Sequence, residues 1–531
     1  MTAKYSNITL VLLPNHLFHP DVLKDIITTH ACDLHKLKIN IIMLEHPVYF
    51  GMRNPYGQMR FNKLKLLYQM ATTRYYIEET LGNNKHLPFT LGNVTYITNK
   101  AKWNPLLAKQ IKVNNCEALL YFDPVDTLIS KEYVFMRAKQ GHHPCIELPN
   151  PGFINTKDDL AKYHATKKTK DSFFHAGFYQ YQRNKLTTSI NLNLPGTKTY
   201  DTENRNKMPI TVDIPELPSP NNNPAAKRIL QTVSKMITKH STWSKFPGSC
   251  DPDQLQFPIN PETSAECLTH FCRAKLDNFG KYQDAIDGQA RNFLFHSCIS
   301  PMINTGLLTP MQVITTVRDY YVAHKATIPI AAYEGFMRQV IGWREYQRYI
   351  YIYAGDKMRT SNLFNNGGKL SEAWYNGTTG IKPVDDSITM AFRDGYLHHI
   401  LRLMVMGNIM NLSGIHPHDV YKWFMEFSLD SYDWVMVGNV YSMALWADGG
   451  LTMRKPYISS SAYILKMSTY TAEPWCETWD NLFHGFIDRN SAELLKTYYA
   501  GLVRAWKKKS SSHKRGIMSK VKQVTAQLTQ S

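Results

Sequence analysis

The chain predicts two architectures in succession: an α/β domain over residues 1–148 and an all-α domain over 223–506. A connector (149–222) joins them and a basic tail (507–531) follows. Three observations support this. Short apolar runs alternate with helical patterns up to residue 148. Pro, Asn and charged residues crowd the connector. From Ala225 onward, apolar residues recur at helical spacing. In order, residues 8–13 (Ile-Thr-Leu-Val-Leu-Leu) and 39–44 (Ile-Asn-Ile-Ile-Met-Leu) read as strands, with a helix over 19–34 between them, the pattern of a parallel-sheet unit. An amphipathic stretch over 61–81 follows, then further strands at 94–97 and 118–122. No GxGxxG follows the first strand, so ordinary dinucleotide binding there has no support. The connector closes on the Pro- and Asn-rich 215–224, a composition that disfavours regular structure. The tail opens Lys507-Lys508-Lys509-Ser510-Ser511-Ser512-His513-Lys514-Arg515, and three readings are open for it: a nucleic-acid contact, a nuclear signal or a solvated tail.

At 531 residues the chain can bury a large core in at least two domains. Its formal net charge of +18 favours a polyanionic partner, although charge alone fits any soluble basic protein. Aromatics at 12% suit stacking on flat ligands as well as core packing. The eight cysteines include no CxxC pair, and Cys267 and Cys272, five apart on a helical stretch, read as core. No apolar run is long enough for a membrane span and the N-terminus lacks a signal-peptide pattern. These features predict a soluble, intracellular monomer with reduced thiols, in cytoplasm or nucleus, and argue against membrane and disulfide-stapled secreted classes.

Chemistry concentrates between residues 374 and 470. Leu397, Ile400, Leu401, Met404, Ile409 and Leu412 follow a helical period, with Asp394 placed for the first turn and Gly414 for the stop. Such a helix is buried on most sides yet carries His398, His399 and Arg402, which need polar partners. A bound polar cofactor is one such partner. The hexapeptide from His296 to Pro301 offers hydroxyls and amides suited to phosphate, although alone it reads as a helix cap.

The run Gly395-Tyr396-Leu397-His398-His399-Ile400-Leu401-Arg402-Leu403-Met404-Val405 resembles the photolyase/cryptochrome superfamily, in the form of its bacterial iron–sulfur (6-4) photolyase and photolyase-related branch. Other matching motifs follow in family order: Phe178-Tyr179-Gln180-Tyr181-Gln182-Arg183, Tyr200-Asp201-Thr202-Glu203-Asn204-Arg205, Gly280-Lys281-Tyr282-Gln283-Asp284-Ala285, the His296–Pro301 segment and Gly342-Trp343-Arg344-Glu345-Tyr346. The resemblance implies a Rossmann-like parallel-sheet domain and a helical FAD-binding domain. It implies a flavin face of Tyr282, His296, Ser297, Ser300, Asn304, Trp343, Arg344, Met436 and Asn439, with Arg402 and Asp430 paired against the ring. On the lesion side it implies His398, His399, Met443 and Tyr457, with His399 as proton donor and His398 orienting it. Trp423 matches an electron-transfer Trp; Tyr432 and Trp374 or Tyr375 are open between that role and packing. A lumazine-type antenna is implied at Glu45 and Asn15, although Pro14-Asn15-His16-Leu17 stands where the family has Gly-Asp-Gln-Leu.

Two further departures matter. The branch holds a [4Fe–4S] cluster on four Cys, but here Thr471 and Pro474 replace two of them and only Cys476 is near. One thiolate cannot hold a cluster, so none is expected, and Trp475, Trp479 and Phe483 are expected to fill the space. Met436 takes the place of the residue facing the reactive flavin nitrogen, and a thioether is only a weak acceptor; filling a core gap is its alternative role. The implied function is light-driven, FAD-dependent repair of UV-damaged DNA, foremost the (6-4) photoproduct, by a deoxyribodipyrimidine photolyase-type lyase. The alternatives are a cryptochrome-like blue-light photoreceptor without repair and a flavin-free DNA-binding relative.

Overall fold

The computed structural model describes residues 5–30, 37–51, 57–83, 87–98, 103–131, 144–196, 199–200, 206–209 and 211–530. Five parallel strands build the N-terminal sheet: β1 (Asn7–Leu12), β2 (Lys38–Leu44), β3 (Thr90–Ile97), β4 (Ala118–Phe122) and β5 (Cys145–Leu148), in the order β3-β2-β1-β4-β5. Covering both faces of a parallel sheet makes its inner strands nearly continuous in apolar residues, and Ile8, Leu10, Leu12, Ile39, Ile41 and Leu44 are all fully buried. That continuity is why β1, β2 and β4 are readable in sequence. Strand β5 is four residues with a Glu among them at the sheet edge, too short to signal itself. The first crossover helix is Pro20–His30; the rest of the expected 19–34 helix lies outside the described residues.

The stretch over 61–81 forms helix Lys63–Tyr75 and a π turn, Tyr76–Gly82. It is not amphipathic in place, since residues 64–73 are all buried. Asn62 caps it by accepting the Leu64 N–H at 3.0 Å and donates to Phe392 O at 3.2 Å. Lys65 donates to Met425 O at 2.6 Å and Ser431 O at 3.0 Å, locking the helix to the C-terminal half.

Three sequence expectations are corrected here. The connector is not irregular throughout: helices Lys157–Ala165 and His175–Ile190 form within it. A capping box between Thr156 and Asp159 starts the first, and the second buries Phe178 against Tyr349, rings stacked 5.3 Å apart. Of the connector motifs, residues 201–205 lie outside the described residues. Secondly, Asp394 does not open the helix that bears the histidines. It is the last residue of Lys382–Asp394, stopped by Gly395 at φ +62°. A Cβ on Gly395 would also fall 1.8 Å from Leu429 Cδ1. Helical backbone resumes only where Arg402 N–H reaches His398 O at 3.1 Å, running through the π turn Leu401–Gly407 and Asn408–Leu412 before Gly414 at φ +75°. His398 and His399 are therefore not two rungs of one helix.

Thirdly, the tail is folded. Ser510 caps helix Ser511–Leu528, whose apolar positions Ile517, Val521, Val524 and Leu528 share one face among the lysines. Val521 seats over Gly485, where an added Cβ would lie 2.9 Å from its methyl carbon. Leu528 O accepts the indole N–H of Trp374 at 2.8 Å, and Thr529–Gln530 pairs antiparallel with Lys369–Leu370. Among the described residues no helix is long and apolar enough to cross a membrane. Gly485→Leu should unseat the tail helix while the rest of the fold survives. Limited trypsinolysis should then cut at residues 514–522 first; a parental cleavage pattern would contradict this packing.

Candidate functional site

Asp430 sits in the loop between helices Pro417–Phe427 and Asp433–Val437 and is buried. Arg402 donates to both its oxygens, at 2.9 and 3.1 Å, and Ser300 Oγ donates at 2.7 Å. Ser428 Oγ donates to the same carboxylate and accepts from Arg402 Nη2 at 3.1 Å. Burial alone would raise the Asp430 carboxyl; the Arg402 charge and the hydrogen bonds from Arg402, Ser428 and Ser300 outweigh it and hold it below the usual range. Asn304 donates to Asp430 O at 2.8 Å and accepts from Arg344, which reaches Gly152 O at 2.9 Å. One network thus unites five residues expected at the flavin face: Ser300, Asn304, Arg344, Arg402 and Asp430.

Others expected there lie apart from that network. Tyr282 stacks on Phe295 at 5.4 Å, and Trp343 stacks on His175 at 3.8 Å. Ser297 is partly buried. Met436 is buried in Asp433–Val437, and Asn439 donates to Val435 O at 2.9 Å. Met443 is buried in the π turn Gly438–Ala444, whereas Tyr457 is half-buried.

Three histidines converge nearby. The rings of His296 and His398 stack 4.7 Å apart at 12°, both buried. Neither nitrogen of His398, nor Nε2 of His296, has a hydrogen-bond partner. Burial first, then neighbouring positive charge, pushes both far below the usual imidazole range, so both are neutral. For His398 those charges are His399 and Arg402; for His296 they are His398, His399 and Lys275. His399 is exposed, and its Nε2 meets Asp284 Oδ1 at 3.1 Å. Asp284, rather than His398, is the hydrogen-bond partner of His399. Ligand atoms of the three imidazoles lie within 4.8 Å of one another. The His296 and His398 rings lie in nearly parallel planes, so one ion cannot lie in the plane of both rings at once.

The aromatic candidates separate into two groups. Trp423 is fully buried and its indole N–H donates to Trp374 O at 2.9 Å. Phe392 lies 6.2 Å from Trp423 and 6.0 Å from Tyr375, whose hydroxyl donates to Glu426 at 2.7 Å. Tyr432 packs elsewhere, edge-on to Tyr49 at 5.6 Å. In the N-terminal domain, Glu45 accepts the Tyr96 hydroxyl and Asn15 is buried with its Oδ1 unpartnered. Every cysteine among the described residues is a free thiol, and Cys267 and Cys272 are buried in the core. Trp475, Trp479 and Phe483 are buried, the two indoles 5.9 Å apart. Sequence reasoning missed Asp284 and Ser428 as partners; Asp284 stood in a quoted motif, but only the fold brings it to His399.

A five-stranded parallel sheet followed by a helical half is the fold of solved photolyase and cryptochrome structures. The chain matches the model of the deoxyribodipyrimidine photo-lyase-related protein family over residues 20–253. It is 32% identical over 367 residues to a (6-4) photolyase of Agrobacterium fabrum, covering 68% of each protein. An uncharacterized protein of Acanthamoeba polyphaga mimivirus, R855, is 61% identical over 88 residues, 16% of this chain and 72% of that one. In fold, the chain is similar to a class III photolyase from Agrobacterium tumefaciens, at a TM-score of 0.54 and 12% identity, covering 98% of this chain and 99% of that one. A Synechocystis cryptochrome gives the same score and identity, with 98% and 95% covered. The chain belongs to the photolyase-related family.

Two outcomes follow from this geometry. His296 and His398 stay neutral when folded, whereas unfolded imidazoles take up protons near pH 6.5. The unfolded state then binds more protons, so stability should fall as pH drops below about 6.5, each His contributing about 1.4 kcal/mol per pH unit. In urea unfolding between pH 4.5 and 6.5, His398→Phe should make that slope shallower by about one proton; an unchanged slope would place His398 in solvent. Purified protein should carry far less than one iron–sulfur cluster per chain, and stoichiometric iron and sulfide would contradict the reading of Cys476.

Proposed function

We propose that this chain is a light-driven, FAD-dependent (6-4) photolyase that repairs UV-damaged DNA. The observation that carries the reading is His399: exposed, held through Nε2 by Asp284, and backed by two neutral imidazoles. The residues fit FAD by their own chemistry. A flat polar ring needs buried donors and acceptors, and the bare nitrogens of His398 and His296 supply them beside the Arg402–Asp430 network. Ser300, Asn304, Arg344, Arg402, Asp430 and His296 would hold the cofactor, with Tyr282, Ser297, Trp343, Met436 and Asn439 as further contacts. When bound, FAD supplies light absorption and the electron for repair.

The chain's own groups do the rest. Asp430 fixes the Arg402 guanidinium, whose preset charge would stabilise a reduced, anionic flavin if one is bound there. Asp284 holds the His399 ring through Nε2, leaving Nδ1 to deliver a proton to the lesion. His398 is too costly to charge in its buried seat and so cannot compete as the acid. Met443 and Tyr457 complete the lesion side, which a stacked base cannot reach without flipping out. Trp423, Trp374 and Tyr375 form the route by which electrons are resupplied. The net positive charge supports a DNA partner. A lumazine-type antenna at Glu45 and Asn15 would have to displace the Tyr96 hydroxyl from Glu45.

A cryptochrome-like photoreceptor is the second reading, favoured by buried Met436, whose thioether can neither donate nor firmly accept a hydrogen bond. Substitution separates the two. His399→Ala should lower light-driven (6-4) repair about 100-fold or more with FAD content unchanged. Asp284→Asn should lower repair too, because it weakens the hydrogen bond that positions the His399 ring. Trp423→Phe should slow photoreduction but spare repair by pre-reduced protein. Parental repair by His399→Ala would sink the acid assignment.

A further inference from the structure

Within residues 450–458 the exposed neighbours Arg454 and Lys455 each sit over an exposed aromatic ring. On one flank the Arg454 guanidinium lies 5.3 Å from the centre of the Phe174 ring. On the other, Lys455 Nζ lies 5.0 Å from the centre of Tyr498. Phe174 is 44% exposed and Tyr498 82%, a large share for side chains that lose free energy in water. Arg454 and Lys455 are exposed, and neither enters an ion pair among the described residues.

Both flanks are tied down. Tyr499, next to Tyr498, donates its hydroxyl to Pro456 O at 3.0 Å and Ile458 O at 3.1 Å. The buried Tyr346 hydroxyl reaches Phe173 O at 2.9 Å and Thr452 O at 3.3 Å, joining the Phe174 flank to the same segment. The rings are thus presented on anchored backbone. Exposed rings, each with a cation that has no ion-pair partner over one face, are what unstacked nucleic acid binds: bases stack on the rings and phosphates meet the charges.

We propose that this face is a nucleic-acid surface that receives the bases unstacked when a lesion is flipped out, on Tyr498 and Phe174, with Arg454 and Lys455 on the flanking phosphates. It rests on the repair reading, because the segment contains Tyr457, placed there on the lesion side. Opening a base pair strands its neighbours without a stack, and the rings replace what is lost. An acidic protein would use the two charges but leave the exposed rings unexplained.

The test is binding by the full-length protein in the dark, by fluorescence anisotropy, to an undamaged duplex with a central unpaired bubble and to the same duplex fully paired. The parent should prefer the bubble. Tyr498→Ala should lose about tenfold on the bubble with an unchanged salt slope, and Tyr498→Trp should restore it. Arg454→Ala and Lys455→Ala should each reduce the slope of log affinity against log salt by about one. Tyr498 is too exposed for its loss to threaten folding. If Tyr498→Ala keeps the parent's bubble preference while (6-4) repair proceeds, this inference fails alone. If the parent binds no DNA, the repair reading falls with it. Binding of polyglutamate as tightly as the bubble would assign the face to an acidic protein and overturn the proposal.

Discussion

One buried carboxylate organises the C-terminal half. Asp430 is a charge in a dry interior, where an unpaired carboxylate would cost many kcal/mol, and it persists because four hydrogen bonds reach it. Those donors come from separated stretches of chain: Ser300 from its own short helix, Arg402 from a π turn, Ser428 from the adjoining loop. Its backbone carbonyl recruits Asn304, and through Asn304 and Arg344 the network ends on the connector at Gly152. Removing one partner of such a pair leaves the other buried and uncompensated, at a cost of about 3–5 kcal/mol. The same bonds that hold the helices in register therefore also fix the charge at the centre of the site.

Behind His399 the division of labour is electrostatic. His296 and His398 share one stack, burial makes both costly to charge, and both stay neutral. His399 is exposed, with the Asp284 carboxylate on its Nε2. Of the three imidazoles, one is exposed and two are buried.

Much of this was legible in sequence. The apolar runs of β1, β2 and β4 are continuous because a parallel sheet is covered on both faces, and the ordered motifs of the helical half gave Arg402 and Asp430 as a pair. What stayed hidden had physical causes. Gly395 occupies a left-handed stop that breaks an apparently continuous helical period and moves His398 off the helix. Four apolar residues spaced through the lysine-rich tail seat it on a neighbouring helix, and composition alone conceals that face. Asp284 and His399 are 115 residues apart, a contact no local pattern can disclose.

The central claim is that this arrangement repairs a DNA lesion by light. The most direct measurement is the fate of an oligonucleotide carrying a single (6-4) photoproduct, incubated with FAD-loaded, pre-reduced protein under blue light and in the dark. The account predicts restored pyrimidines under light alone, with a matched cyclobutane-dimer oligonucleotide left behind. Unchanged (6-4) lesion after illumination of reduced, flavin-replete protein that still binds the oligonucleotide would contradict it.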